Sequence, residues 1–297
     1  MGKHVFCSDL ALMRGEPHVG TGALGGRILL IAWPRRLWRA KRKAAGMGAE
    51  LAAAVAYATT KTPYVLFIDR TFSDETVPQL LAFPERQALD GLSEGELAAA
   101  IRLWADGGTL TGRYEARSTL ICCTDSVTDT CCARFGFATY KRLIAKADRE
   151  KFNVLQCNHI GGCRFASSLL IVEKRERYGR LAPEAVPDFL AAVGADEIYL
   201  PAWRGRGDLG EPEQVADFAA RRWAERNGAG DVAVALEASE RLGPFAMRIM
   251  ASVGADTLAI TLAAREFLRH GHCHDVEKPA EVVTRWLATG VEKLQRR

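Results

Sequence analysis

The sequence lacks any long hydrophobic run. No apolar stretch of the 297-residue chain approaches the roughly 18 residues that a transmembrane helix needs. The opening, MGKHVFCSDLALMRGEP, has no apolar segment followed by a small-residue cleavage site, so we expect no secretory signal. Position 6 is Phe6 instead of serine or threonine, which argues against myristoylation of Gly2. The expected location is therefore the cytoplasm, with no membrane partner.

Several signatures of enzymes and nucleic-acid-binding proteins are also missing. The chain has no C-x-x-C pair, which argues against thioredoxin-type dithiol chemistry. The glycines of GTGALGG (20–26) precede an apolar strand instead of following one, so they do not match a dinucleotide-binding loop. No pair of carboxylates is singled out as a glycosidase would require. The net charge is only +4 and no nucleic-acid-binding motif is present, so nucleic acid is not an expected partner.

Cysteine, in contrast, is concentrated in one part of the chain. Six of the eight cysteines fall between positions 122 and 163. They are Cys122, Cys123, Cys131, Cys132, Cys157 and Cys163. A secreted disulfide framework spreads its cysteines along the fold, whereas a cluster in a cytosolic protein more often indicates metal binding or catalysis. The functional centre is therefore expected in the middle of the chain.

The hydrophobic pattern predicts an α/β fold. Short apolar runs alternate with helical patterns, most clearly over 118–228, and LSEGELAAAIRLWADGG carries a capping box at Ser93 and Glu96. After position 230 the pattern changes to three alternating segments, which predict a small antiparallel meander, followed by a helix from about Pro279 to the end. No repeat of fixed period is found. We predict an N-terminal α/β region, a central α/β domain and a C-terminal meander with a helix, at 1–115, 116–229 and 230–297.

Four residues of the central domain have the arrangement of a metal site. Cys123 ends a predicted strand, and Cys132 begins the following helix. His159 follows the next strand, and Cys163 comes directly after Gly161 and Gly162. Thiolates are the usual ligands of iron–sulfur clusters, and imidazole is an accepted substitute. Because the two loops emerge at the same edge of the predicted sheet, we expect these side chains to lie together.

Other interpretations of the thiols remain open from the residues alone. Three cysteines and one histidine also form a common structural zinc set, although the C-x8-C and H-x3-C spacings differ from zinc knuckles. A zinc-stabilised or thiol-based binding module without redox function is therefore the alternative. Buried cysteines are also frequently small apolar core residues. We interpret Cys122, Cys131 and Cys157 in that way, while leaving open that one of them replaces a predicted ligand.

Several motifs resemble those of the sucrase/ferredoxin-like family, whose members are thioredoxin-like 2Fe–2S proteins. The similar segments are CTDSVTDTCCARFG, NHIGGCRFA, YGRLAPE and WRGR, and the resemblance runs from about Phe6 to Glu213. It implies that 116–229 is a thioredoxin-like ferredoxin domain with a cluster held by two cysteines and two histidines. The ligands would be Cys123, Cys132 and His159, and Cys163 would replace the second histidine of the family.

The resemblance implies one-electron transfer, by an electron carrier instead of a stand-alone catalyst. Three thiolates and one imidazole give the cluster a charge between those of all-cysteine and two-histidine centres. We therefore expect a reduction potential between the plant-type ferredoxin value near roughly −400 mV and the Rieske range reaching about +300 mV. A titrating ring nitrogen on His159 would couple electron transfer to proton transfer.

Two peripheral segments complete the sequence-based hypotheses. The basic stretch RRLWRAKRK, from Arg35 to Lys43, is interpreted as a solvated surface, with docking of an acidic redox partner protein as the functional alternative. The segment RHGHCHD (269–275) is interpreted as a polar loop, with a second metal site as the alternative. Its donor residues are His270, His272, Cys273 and His274. Whether the chain forms a homodimer is left open.

Overall fold

The computed structural model describes residues 5–23, 25–39, 43–230 and 232–295, which form six α-helices and sixteen β-strands. The helices are α1 Cys7–Met13, α2 Ala49–Lys61, α3 Glu94–Ala105, α4 Phe137–Lys146, α5 Val186–Gly194 and α6 Glu211–Arg226. The strands are β1 Ile28–Ala32, β2 Trp38–Arg39, β3 Lys43–Ala44, β4 Val65–Asp69, β5 Leu80–Phe83, β6 Gln87–Leu89, β7 Arg113–Tyr114, β8 Ser118–Cys123, β9 Phe152–Cys157, β10 Leu169–Ile171, β11 Glu176–Tyr178, β12 Trp203–Arg206, β13 Val234–Gly243, β14 Ala246–Val253, β15 Asp256–Arg269 and β16 Glu281–Leu294. None of the described helices combines the length and the apolar composition that crossing a bilayer requires.

Ten of the strands form one mixed sheet that consists of two similar units. In the first unit, α2 joins the parallel strands β1 and β4, and β5 and β6 continue beside β1 as antiparallel neighbours. In the second unit, α4 joins the parallel strands β8 and β9, and β10 and β11 continue beside β8. A helix follows the fourth strand of each unit, α3 in the first and α5 in the second. The units meet edge to edge where β4 pairs with β9, which gives the order β12-β11-β10-β8-β9-β4-β1-β5-β6-β7.

The predicted α/β class is confirmed. Several of its strands and helices form because of the residues within or next to them. The strands β4, β8 and β9 are short apolar runs that are buried along nearly their whole length, as expected for central strands covered by helices on both faces. Helix α3 begins at Ser93, whose side chain and that of Glu96 form the predicted capping box. The two units share no repeat period in the sequence, so their similarity becomes visible only in the strand pairing.

The C-terminal part is a four-stranded antiparallel sheet in the order β13-β14-β15-β16. The predicted meander is confirmed, but the predicted helix after Pro279 is wrong, because residues 281–294 form β16 and pair with β15 along almost its full length. The segment contains consecutive β-branched residues at Val282, Val283 and Thr284, which favour a strand when a partner edge is available. Helix α6 packs its alanine-rich face on this sheet and covers its apolar side.

Candidate metal centre

The four predicted ligands lie at one edge of the second unit. Cys123 is the last residue of β8, and Cys132 opens a π-helical turn, Cys132–Gly136, that leads into α4. His159 follows β9 by two residues, and Cys163 begins a short 3-10 turn. Since β8 and β9 are parallel neighbours, the loops that follow them leave the sheet at the same edge. The predicted convergence of these loops is therefore present in the structure.

The side chains of these residues interact with one another. The Cys123 and Cys163 thiols both raise the pKa of Cys132, and burial acts in the same direction. The Sγ atom of Cys163 lies 3.3 Å from Nδ1 of His159. Each of the three thiols is only 1% exposed. Hydrogen bonds from Cys132 and from the histidines hold the pKa of Cys163 well below its usual range, although burial opposes this shift. The arrangement is a buried set of three sulfur donors and one imidazole.

The turn between His159 and Cys163 depends on its two glycines. Gly161 and Gly162 have φ values of +85° and +76°, which L-residues with a side chain rarely adopt. A Cβ atom on Gly162 would also lie 2.6–2.9 Å from the guanidinium group of Arg204. Asn158 anchors the start of the same turn, since its backbone N–H donates to Phe67 O and its side chain accepts from Phe67 N, each at 3.0 Å. The first unit of the sheet thus helps to position the turn from His159 to Cys163, which we call the ligand turn.

Two arginines are buried beneath this turn. Arg177 donates to the carbonyl oxygens of Ile160 and Gly161, and Arg204 donates to the backbone and the hydroxyl of Thr21. Among the described residues, no carboxylate lies within salt-bridge distance of either guanidinium group. Burial lowers the pKa of both arginines, whereas the nearby Cys163 sulfur acts in the opposite direction. The arginines therefore place unneutralised positive charge beside the thiols.

Side-chain hydrogen bonds also order the loop that connects β8 to Cys132. The Asp125 carboxylate accepts from the backbone N–H of Val127 at 2.9 Å and from the Thr128 hydroxyl at 2.6 Å. Asp129 accepts from the N–H groups of Cys131 and Cys273 at 2.8 and 2.9 Å. Burial opposes ionisation of Asp129, but hydrogen bonds from His272 and from these N–H groups hold its pKa well below the usual range. The loop is thus built around two anchored carboxylates.

His272 is a residue of the centre that the sequence did not assign to it. It lies on the loop between β15 and β16, with Nδ1 3.4 Å from Oδ2 of Asp129 and its ring 5.5 Å from that of His159. The donor atoms of His272, Asp129 and Cys163 lie within 4.8 Å of one another. Interactions with Asp129 and Cys163 raise the pKa of His272 to about 10. The only indication in the sequence was the histidine-rich composition of RHGHCHD.

The other histidines of that segment have different surroundings. His270 is buried, with Nδ1 2.9 Å from Nη1 of Arg14 and Nε2 3.0 Å from the carbonyl oxygen of Lys278. His274 stacks on His272 at a ring distance of 5.0 Å and is largely exposed. His270 thus links the N-terminal segment to the C-terminal sheet, and His274 covers the outer face of His272.

The remaining cysteines are all buried, in two different settings. The Cys122 thiol donates to the carbonyl oxygen of Gly136 at 3.4 Å, and Cys157 lies within β9, where burial raises the pKa of its thiol. Cys131 instead contacts the thiols of Cys7 and Cys273. Adjacent residues Cys131 and Cys132 therefore take part in separate groups of thiols.

The basic stretch borders the same edge of the sheet. The guanidinium group of Arg35 donates to the carbonyl oxygen of Thr124, directly after Cys123, at 2.9 Å. Trp38 is buried and donates to the carbonyl oxygen of Trp33, so its ring is part of the core. Positions 40–42 of the stretch lie outside the described residues. Docking of a redox partner on this stretch stays a prediction.

Comparisons with known proteins bear on the region that holds these residues. The family model for sucrase/ferredoxin-like proteins matches residues 20–205. Among solved structures, the chain is similar to a thioredoxin-like 2Fe–2S ferredoxin from Aquifex aeolicus, with 12% identity and a TM-score of 0.28 over 30% of this chain and 91% of the ferredoxin. It is also similar to a cysteine-to-serine variant of that ferredoxin, with 12% identity and a TM-score of 0.27 over 29% of this chain and 96% of the variant. No curated protein matches the sequence.

Proposed function

Since the chain belongs to the sucrase/ferredoxin-like family, we propose that it is a one-electron carrier that holds a 2Fe–2S cluster. Its ligands would be Cys123, Cys132, His159 and Cys163. When bound, the cluster supplies a site that accepts and releases one electron. The observation that carries the proposal is the convergence of three buried thiols and one imidazole at one edge of the sheet.

The donor set and its surroundings fit such a group. Thiolate sulfur is the preferred ligand of iron–sulfur clusters, and histidine replaces cysteine in some of them. A cluster with three thiolate ligands carries net negative charge, which is costly to bury without compensation. Arg177 and Arg204 lie beneath the ligand turn without a carboxylate partner among the described residues, so their charge would offset that of the cluster. Water has little access to the proposed ligands, because Cys132 and Cys163 are almost fully buried.

Purified protein gives a direct test of this proposal. Visible absorption and EPR spectra would be recorded on anaerobically prepared protein before and after reduction with dithionite, and iron and sulfide would be counted. We expect a red-brown protein with about two irons per chain and an S = ½ signal on reduction. A colourless protein with zinc on the same four residues would contradict the proposal and favour a zinc-stabilised binding module, because Zn²⁺ has no redox chemistry.

The charge of Arg177 is expected to raise the reduction potential. Reduction adds negative charge to a buried site, and a nearby cation stabilises the reduced state more than the oxidised state. Arg177→Met should therefore lower the potential, by on the order of tens of millivolts, whereas Arg177→Lys should lower it less. Potentials would be measured by EPR-monitored titration of the cluster signal.

Arg27→Met is the matched control for this prediction. Arg27 also donates to carbonyl oxygens, those of Trp104 and Gly108, but it lies in the first unit of the sheet. Its replacement should leave the potential unchanged. An unchanged potential in Arg177→Met, in protein that retains its full iron content, would show that the charge of this arginine does not act on the cluster.

A further inference from the structure

Three thiols from distant parts of the chain form a second group outside the proposed cluster site. They belong to Cys7 in α1, Cys131 before the π-helical turn and Cys273 in the loop between β15 and β16. The Sγ atom of Cys131 lies 3.5 Å from that of Cys7 and 3.2 Å from that of Cys273, and the remaining Sγ–Sγ distance is 3.7 Å. All three are buried, with at most 8% exposure. Each sulfur therefore lies within 3.7 Å of two other sulfurs.

A carboxylate completes this group. The two oxygens of Asp129 lie 3.8 and 4.0 Å from Sγ of Cys7, and the four donor groups all fall within 4.8 Å of one another. The carboxylate is held in place by the backbone N–H groups of Cys131 and Cys273. These N–H groups belong to two of the three cysteines, so the position of the oxygen donor is tied to that of the sulfur donors.

We propose that Cys7, Cys131, Cys273 and Asp129 bind a zinc ion. Zinc bonds of about 2.3 Å to sulfur in a tetrahedron place the sulfur atoms about 3.8 Å apart, which is within a few tenths of an ångström of two of the observed distances. Asp is an established zinc ligand, and four donors match the four-coordinate geometry of structural zinc sites. On binding, the thiols lose their protons to solvent and the metal neutralises part of the resulting charge.

Polar groups around the sulfurs support metal binding over simple packing. The Ser8 hydroxyl lies 3.3 Å from Sγ of Cys131, and the backbone N–H of Cys7 points to Sγ of Cys273 at 3.5 Å. Hydrogen bonds of this kind orient and stabilise ligands around a metal. An apolar core site for three thiols would need none of them.

The proposed site borders the cluster site through Asp129 but uses none of the four proposed cluster ligands. Cys131 contacts Cys7 and Cys273, whereas the adjacent Cys132 interacts with Cys123 and Cys163. The zinc ion would join α1, the loop between β8 and Cys132, and the loop that carries His272. Because a metal that binds only the folded arrangement contributes its binding energy to folding, it would fix both outer segments over the candidate centre.

Metal analysis of single variants tests this assignment. Wild-type protein, prepared anaerobically without added metal, should contain about one zinc ion per chain. Cys7→Ser and Cys273→Ser should lose most of this zinc and keep the iron content and visible spectrum. Cys163→Ser should lose iron and keep zinc, and Cys157→Ser, which changes a buried thiol outside both groups, should keep both metals. The proposed function and the zinc site can thus fail independently.

If a variant does not fold, zinc-edge X-ray absorption of the wild-type protein can still identify the zinc ligands. We expect three sulfur neighbours at about 2.3 Å and one oxygen at about 2.0–2.2 Å. The absence of zinc, imidazole scattering that shows a histidine ligand, or a disulfide between Cys131 and Cys273 found by mass spectrometry of alkylated native protein would each overturn the assignment.

Discussion

Replacing Gly136 with alanine is expected to lower the free energy of unfolding by about 2 kcal/mol or more and to reduce iron binding. A Cβ atom on Gly136 would lie 2.0 Å from the carbonyl oxygen of Cys123 and 3.2 Å from its carbonyl carbon. These are backbone atoms of the central strand β8, which cannot rotate away as a side chain would. The π-helical turn that begins at Cys132 would therefore be pushed away from the end of β8, and the two cysteines would separate.

Thermal unfolding followed by circular dichroism measures the first effect, and iron analysis measures the second. Gly95→Ala is the matched control, because Gly95 is an exposed helical glycine in α3 with open space where a Cβ would lie. That substitution should stabilise the protein by about 0.5–1 kcal/mol, since alanine is the better helix former. A Gly136→Ala protein that unfolds at the wild-type temperature would mean that β8 and the π-helical turn do not pack as described.

Cys132→Ser is expected to remove essentially all of the visible chromophore. Cys132 is the thiol whose pKa both Cys123 and Cys163 raise, so it interacts with both of the other proposed sulfur ligands. Serine offers a hydroxyl in place of a thiolate, and iron–sulfur clusters depend on thiolate ligands. Absorption spectra and iron content of the anaerobically purified variant would measure the loss.

Cys122→Ser serves as the control for this result. Cys122 is also fully buried, and a serine there can still donate to the carbonyl oxygen of Gly136. This variant should keep the wild-type spectrum. If Cys132→Ser also kept it, the proposed ligand set would be wrong at this position.

The parts of the fold that could be predicted from the sequence are those encoded locally. The capping box at Ser93 and the apolar runs of β4, β8 and β9 depend on a few neighbouring residues, and all are present. The short strands β6, β7 and β11 have two or three residues each and exist only because a neighbouring strand offers hydrogen bonds. The helix expected after Pro279 is a strand for the same reason, because β15 supplies a partner edge.

The candidate centre was predictable only where its residues follow strands of one unit. Cys123 ends β8 and His159 follows its parallel neighbour β9, so their convergence could be derived from the strand order. The positions of Cys7 and Cys273 depend instead on how α1 and the C-terminal sheet pack on the large sheet, and no local pattern encodes that packing. His270 illustrates the same limit, because the segment RHGHCHD left a second metal site open as the alternative to a polar loop, whereas the ring nitrogens of His270 contact Arg14 and Lys278.

The junction between β4 and β9 also affects the resistance of the protein to aggregation. Unpaired strand edges are templates for pairing with other chains, and each unit alone would expose one such edge of five or six residues. Joining the units pairs these edges at Ile68 with Cys157 and at Asp69 with Gln156, and it leaves β7 and β12, of two and four residues, at the ends of the sheet. Short edge strands are poor templates. The two ends of the ten-stranded sheet are therefore poor templates for pairing with another chain.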